Sequence, residues 1–248
     1  MQTLLIPIRA VLAVFNLVFV CGAGFLFVLL GMNGHKAVRR ILPLWAKINL
    51  LICGLRLEVI RGAEHLQPGM PVIFIANHQA LIDLFVFPVL FRDADVFYPV
   101  KKELAWVPFL GWFAWISGQP LIDRDDHARA MQAMDLTMRL LRAGMSSVIF
   151  PEGTRSRDGK LGPFKKGAFR IALDHHVPLV PITLVDCSDR MPMGTWRLTS
   201  GTIHVVVDPP ILVDDWSRSN FDENIDKLRN VILGNIETER SRLGLPPV

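Results

Sequence analysis

His78 and Asp83, five positions apart in Asn77-His78-Gln79-Ala80-Leu81-Ile82-Asp83, are the residues of this chain best suited to moving a proton. On a continuous helix, residues five apart point about 140° away from each other, because each residue advances about 100°. His78 is therefore expected ahead of the regular helix, in the turn after the apolar run from Pro71 to Ala76, with the chain curling back to bring Asp83 to it. Given that contact, the carboxylate accepts the proton on one imidazole nitrogen and leaves the other as a base toward a substrate hydroxyl. Its charge also favours the imidazolium that forms as the hydroxyl attacks. The plainer alternative is a histidine that satisfies a turn, followed by an ordinary acid in the first turn of a helix.

A second polar cluster, Phe150-Pro151-Glu152-Gly153-Thr154-Arg155-Ser156, emerges from the apolar run Val148-Ile149-Phe150. Gly153 permits a close backbone approach, and the Arg155 guanidinium meets phosphate oxygens with a planar pair of donors. Glu152, itself anionic, is expected to orient Arg155 or to accept a hydrogen bond from a substrate hydroxyl. Arg124, after Gly118-Gln119-Pro120-Leu121-Ile122-Asp123, is a second phosphate-binding candidate. Lys101 lies between an apolar strand and the aromatic segment Trp106 to Trp112, where it would gate polar access beside an apolar channel. Each of these cations also has a plain reading as part of a solvated face.

These groups need a frame, and the chain alternates accordingly. Strand-like runs fall at about 56–60, 72–76, 95–100, 146–150, 179–185 and 203–208, and helical patterns at about 82–91, 127–143, 166–174 and 222–238. The expected fold is α/β, a mixed central sheet flanked by helices. In the helix after Asp125-Asp126, Met131, Met134, Met138 and Leu141 form a stripe for burial, and Gly144 supplies a stop. The last helix repeats the pattern through Ile225, Leu228, Val231, Ile232 and Ile236.

Much of the 51% hydrophobic content sits at the N-terminus. From Ala10 to Gly31 the only conventionally polar side chain is Asn16, and about 20 apolar residues are enough for a helix to cross the hydrocarbon layer. Arg9 precedes this run while His35, Lys36, Arg39 and Arg40 follow it, a bias that places the rest of the chain on the cytoplasmic side of the cell inner membrane. A cleaved signal peptide is the competing reading, but the run stays apolar beyond Gly22-Ala23-Gly24, so retention is expected. A second apolar segment, Ile41 to Leu55, contains Pro43 and Lys47 and fits either an interfacial helix, with Trp45 reaching for headgroups, or a helix covering the catalytic domain. The 248 residues thus divide into membrane-associated helices over 1–55 and a catalytic domain over 56–248. A net charge of +4 without an aromatic and basic platform argues against nucleic acid, and Cys21, Cys53 and Cys187 have neither metal-ligand nor disulfide spacing.

With these residues set out, the chain resembles the 1-acyl-glycerol-3-phosphate acyltransferases of phospholipid synthesis. Asn77-His78 with Asp83 matches their catalytic motif, Gly118 to Arg124 their glycerophosphate motif, Phe150 to Arg155 the third and Val177-Pro178-Leu179-Val180-Pro181-Ile182 the fourth; the set covers much of 56–185. Pro120 and Leu121 depart from the family's more usual apolar β-branched and aromatic pattern. The resemblance implies transfer of a fatty acyl group from a coenzyme A or acyl carrier protein thioester to lysophosphatidic acid, among membrane phospholipids and with no metal or cofactor. It makes His78 the base, Asp83 its orienting partner, and Arg124, Glu152, Gly153, Thr154 and Arg155 the headgroup set, with Pro178 shaping the adjoining wall. Backbone amides near His78 or Gly153 would then steady the oxyanion.

Overall fold

The computed structural model describes residues 6–107, 110–123, 126–195 and 197–247. Two antiparallel helices come first, α1 (Ile6–Leu29) and α2 (Gly34–Cys53), followed by β1 (Leu55–Arg61), β2 (Ile73–Ala76), α3 (Asp83–Leu90), β3 (Val96–Phe97) and β4 (Val100–Lys101). Next come α4 (Leu110–Ile116), β5 (Leu121–Ile122), α5 (His127–Arg142), β6 (Ser146–Ile149), α6 (Gly167–His175), β7 (Leu179–Leu184), α7 (Cys187–Arg190), β8 (Gly201–Val207) and α8 (Phe221–Arg242).

Among the described residues the main sheet runs in the order β1-β8-β7-β2-β6-β3, while β4 and β5 pair as a separate ribbon. Only the β7–β8 pair is antiparallel, so the sheet is mixed as expected. Strands β2 and β7 are buried at every position, the mark of central strands covered on both faces. Ile73 and Ile75 face a core shared with α5, α6 and α8, whereas Phe74 and Ala76 face one shared with α2 and α3. Those two packed layers hold the C-terminal end of β2, and hence His78, in place.

Four details differ from the sequence reading. Met131 is 46% exposed while Met138 and Leu141 are buried, because the 16-residue α5, about 24 Å long, overhangs the four-residue β6. Val231 is also exposed, since the buried face of α8 runs through Ile225, Leu228, Ile232 and Ile236. Trp45 points inward and packs edge-on against Phe85 of α3 at 5.0 Å. Finally, α2 starts well before Ile41 and lies against α1 and α3. Gly144 ends α5 as expected, at φ 92°.

Helix α1 is apolar enough to enter a membrane, and only 17% of its apolar window is buried inside the protein. Its outer face, which includes Val11, Phe15, Phe19 and Leu26, associates the protein with a bilayer. Asn16, the polar exception, is satisfied internally by donating to the Trp45 carbonyl at 3.0 Å. Both ends of the α1–α2 pair reach the sheet domain. Arg9 donates to Ser200 Oγ at 3.2 Å, just before β8. At the other end His35 and Arg39 both bind Asp95.

Candidate active site

Because β2, β6 and β7 are parallel neighbours, the loops that leave their C-terminal ends converge at one edge of the sheet. Asn77 fixes the start of the first loop by exchanging two hydrogen bonds with the Leu184 backbone, at 2.8 and 2.7 Å, which extends the β2–β7 ladder by a side chain. His78 lies beyond the strand and ahead of α3, as its spacing to Asp83 requires. Its Nδ1 is 2.7 Å from Asp83 Oδ2.

Asp83 is fully buried, and the same Oδ2 accepts the backbone N–H groups of Gln79 at 2.7 Å and Ala80 at 2.9 Å. One carboxylate therefore closes the whole loop as well as holding the imidazole. Charge-assisted bonds of this kind contribute about 1.5–3 kcal/mol each. Since a carboxylate only accepts, Nδ1 carries the hydrogen and Nε2 presents its lone pair. Nε2 has no hydrogen-bond partner among the described residues, and the ring is stacked on Phe150 with centroids 4.2 Å apart.

Glu152, the buried acid of the second cluster, binds backbone amides and makes no contact with Arg155 among the described residues. Its Oε1 accepts the His78 backbone N–H at 2.8 Å and its Oε2 accepts that of Gly162 at 2.9 Å. It is a positioning residue for the histidine loop, joined by Ser156, whose N–H donates to the His78 carbonyl at 2.8 Å. Burial pushes the Glu152 carboxyl up from its ordinary value, against the two amides that pull it down. Gly153, at φ 71°, makes the turn that aims Glu152 inward while Thr154 stays exposed. The amides of His78, Gln79, Ala80 and Gly153 all donate to internal acceptors.

Arg155 is half-buried and makes no hydrogen bond or ion pair among the described residues. It lines a cleft of about 230 Å³ together with Leu81 and the Met191–Thr195 turn. Lys101 sits on the β4–β5 ribbon, about half exposed, 3.4 Å from Glu103. Arg124 lies outside the described residues.

Pro178 is a correction. It precedes β7 and its carbonyl accepts from Ile73, at the end of the sheet opposite His78. With about 3.3 Å per residue of strand it stands well away from the imidazole and cannot shape its surroundings. The residues just after β7, which sequence reasoning did not connect with His78, instead support its loop. Cys187 is buried there, and burial first, then the Asp83 and Asp186 carboxylates, hold its thiol well above the ordinary range. Ser188 donates to Gln79 of the catalytic loop at 3.4 Å. No sequence spacing linked these residues to His78; only the parallel β2–β7 pairing does.

Fold and site together define a class: α/β proteins that hold a strand-end imidazole against a buried carboxylate, with an arginine that has no partner among the described residues in the cleft lined by the same loop. Comparison with known proteins is specific. The acyltransferase family model matches residues 58–185, and the chain belongs to that family. A 1-acyl-sn-glycerol-3-phosphate acyltransferase of Limnanthes douglasii is 36% identical over 186 residues, 75% of this chain and 65% of that protein. The chain therefore spans slightly under two thirds of the plant relative's length. The enzyme of the same name from Salmonella typhimurium is 31% identical over 216 residues, covering 87% of this chain and 86% of its own. Among solved structures, the 1-acyl-sn-glycerophosphate acyltransferase of Thermotoga maritima superposes with a TM-score of 0.79 over 96% of both chains at 24% identity, a likeness of fold.

Proposed function

We propose that this protein transfers a fatty acyl group from a thioester of coenzyme A or acyl carrier protein to the sn-2 hydroxyl of 1-acyl-glycerol 3-phosphate, giving phosphatidic acid. The observation that carries the reading is the His78 Nδ1–Asp83 bond of 2.7 Å at a strand end, which leaves Nε2 unspent beside an unpaired Arg155. The acceptor oxygen attacks the thioester carbonyl as its proton passes to Nε2, and Asp83 balances the charge on the imidazolium. Collapse of the tetrahedral intermediate breaks the carbon–sulfur bond, and the departing thiolate recovers the proton from Nε2. Arg155, with Arg124, holds the phosphate. Cys187 is buried and held as a thiol, so it offers no acyl-enzyme route. The membrane-associated α1 keeps the protein where such lipids lie, at the cytoplasmic face of the inner membrane that thioester donors reach.

The test is product formation from lysophosphatidic acid and long-chain acyl-CoA, followed by mass spectrometry on the full chain in lipid nanodiscs. Phosphatidic acid that appears only with the lyso-lipid supports transfer. Thioester loss independent of the acceptor would replace the transferase reading with a hydrolase.

A further inference from the structure

The cleft beside Arg155 has three walls of different chemistry. Leu81, 41% exposed, belongs to the loop that Asp83 closes, so the catalytic turn itself forms one side. Arg155 forms the polar end. Met191, Pro192 and Met193 form the third wall, and Thr195 holds their turn shut by donating from Oγ1 to the Pro192 carbonyl at 2.9 Å. That turn is anchored at both ends: Met191 packs on the main core, and Thr199 donates to the Arg190 carbonyl at 2.8 Å. The apolar wall is thus preformed.

We infer that this cleft holds the first carbons of the acyl chain already carried by the phosphorylated acceptor. The inference rests on the acyltransferase reading. In a 1-acyl-glycerol 3-phosphate, the reacting hydroxyl is flanked by the phosphate on one carbon and by the acyl ester on the other. An acceptor with its phosphate on Arg155 and its hydroxyl at His78 must send its chain away from nearly the same point, and Leu81, three residues after His78, lines the cleft on that side. A thioester donor is built differently, because its phosphates lie a full pantetheine arm from its acyl group. A cation and an apolar wall side by side therefore complement the acceptor. Methionine adapts its shape through three rotatable bonds, which suits a wall that must receive chains differing in unsaturation.

The experiment measures affinity for lysophosphatidates of increasing tail length, kept below their micellar concentrations, on the full chain and on Met193→Trp and Met193→Ser. In the wild type, affinity rises about fourfold per methylene until the cleft is full. Met193→Trp, which fills the cleft, flattens that rise, and Met193→Ser, which keeps the space, weakens it. The rate profile across donor chain lengths stays as in the wild type. A donor profile that shifts while the acceptor series does not, or two unchanged series, overturns the inference. Tail-dependent binding without any phosphatidic acid formed would retire the acyltransferase reading alone, whereas transfer with a flat acceptor series retires the cleft alone.

Discussion

Two histidine–aspartate pairs are buried among the described residues, and burial does not tell them apart. The side chains of His78 and His204 are 17% and 13% exposed, and both aspartates are fully buried. Asp186 holds His204 Nδ1 at 3.1 Å much as Asp83 holds His78. The differences lie in what else each group does. His204 is inside β8, in register with Glu58, whose carboxylate stands 3.9 Å from its other nitrogen. Asp186 also accepts from Arg190 at 3.2 Å and from the His204 backbone at 3.0 Å. Every charge in that pair has a partner. In the first pair the far nitrogen has none among the described residues, and the ring stands past the strand end on Phe150. What sets the proposed base apart from a structural histidine is the one ring nitrogen left unspent among the described residues, past the end of its strand.

Four substitutions sharpen or break that contrast. The largest effect is expected for His78→Ala, which should lower kcat by about 10³–10⁴-fold with folding preserved. His204→Ala should leave kcat within a few-fold and lower stability by about 1 kcal/mol. Mass-spectrometric turnover beside a denaturation curve separates the two, and equal losses of turnover would erase the distinction. Next, Asp83→Asn should cost about 10²–10³-fold in kcat by disturbing the tautomer and the loop together. Asp186→Asn should instead appear as about 3 kcal/mol of lost stability, because Arg190 loses its buried counter-charge.

A smaller effect is expected for Arg155→Ala, a rise of about tenfold or more in KM for the phosphorylated acceptor with kcat little changed. Unchanged acceptor kinetics would remove Arg155 from the phosphate site. The smallest is for Glu152→Gln, which keeps an acceptor for only one of the two amides. Its carboxyl is raised in the folded state, so the native protein keeps a proton that the unfolded chain releases as pH climbs above the ordinary value of 4.5. Wild-type stability should therefore fall between that value and the raised folded one. Urea titrations across weakly acidic pH should show this slope, and Glu152→Gln should lack it.

Much of this was legible in the sequence, and what was not has physical causes. Helices α3, α5, α6 and α8 and strands β1, β2, β6, β7 and β8 fell close to their expected ranges, because each carries several turns or several alternations of pattern. Strands β4 and β5 have two residues each, too few to show a period, and α7 has four. The five-residue spacing was enough to place His78 ahead of a helix and opposite Asp83. It could not reveal that Glu152 serves the His78 amide, since that bond joins residues 74 positions apart through the pairing of β2 with β6. Pro178 was misplaced for a related reason: a motif records neighbours along the chain and does not say at which end of a strand they stand.

The α1–α2 pair is moored to the sheet domain at both ends, by Arg9 to Ser200 at one and by His35 and Arg39 to Asp95 at the other. A 24-residue helix is about 36 Å long, more than the hydrocarbon layer is thick, and side-chain contacts tie the helix pair to the sheet domain near each end. Such mooring ties the attitude of α1 to that of the sheet, so the apolar outer face and the strand-end loops turn together. Where α1 settles against lipid, the loop that carries His78 is therefore brought to the lipid at a set angle.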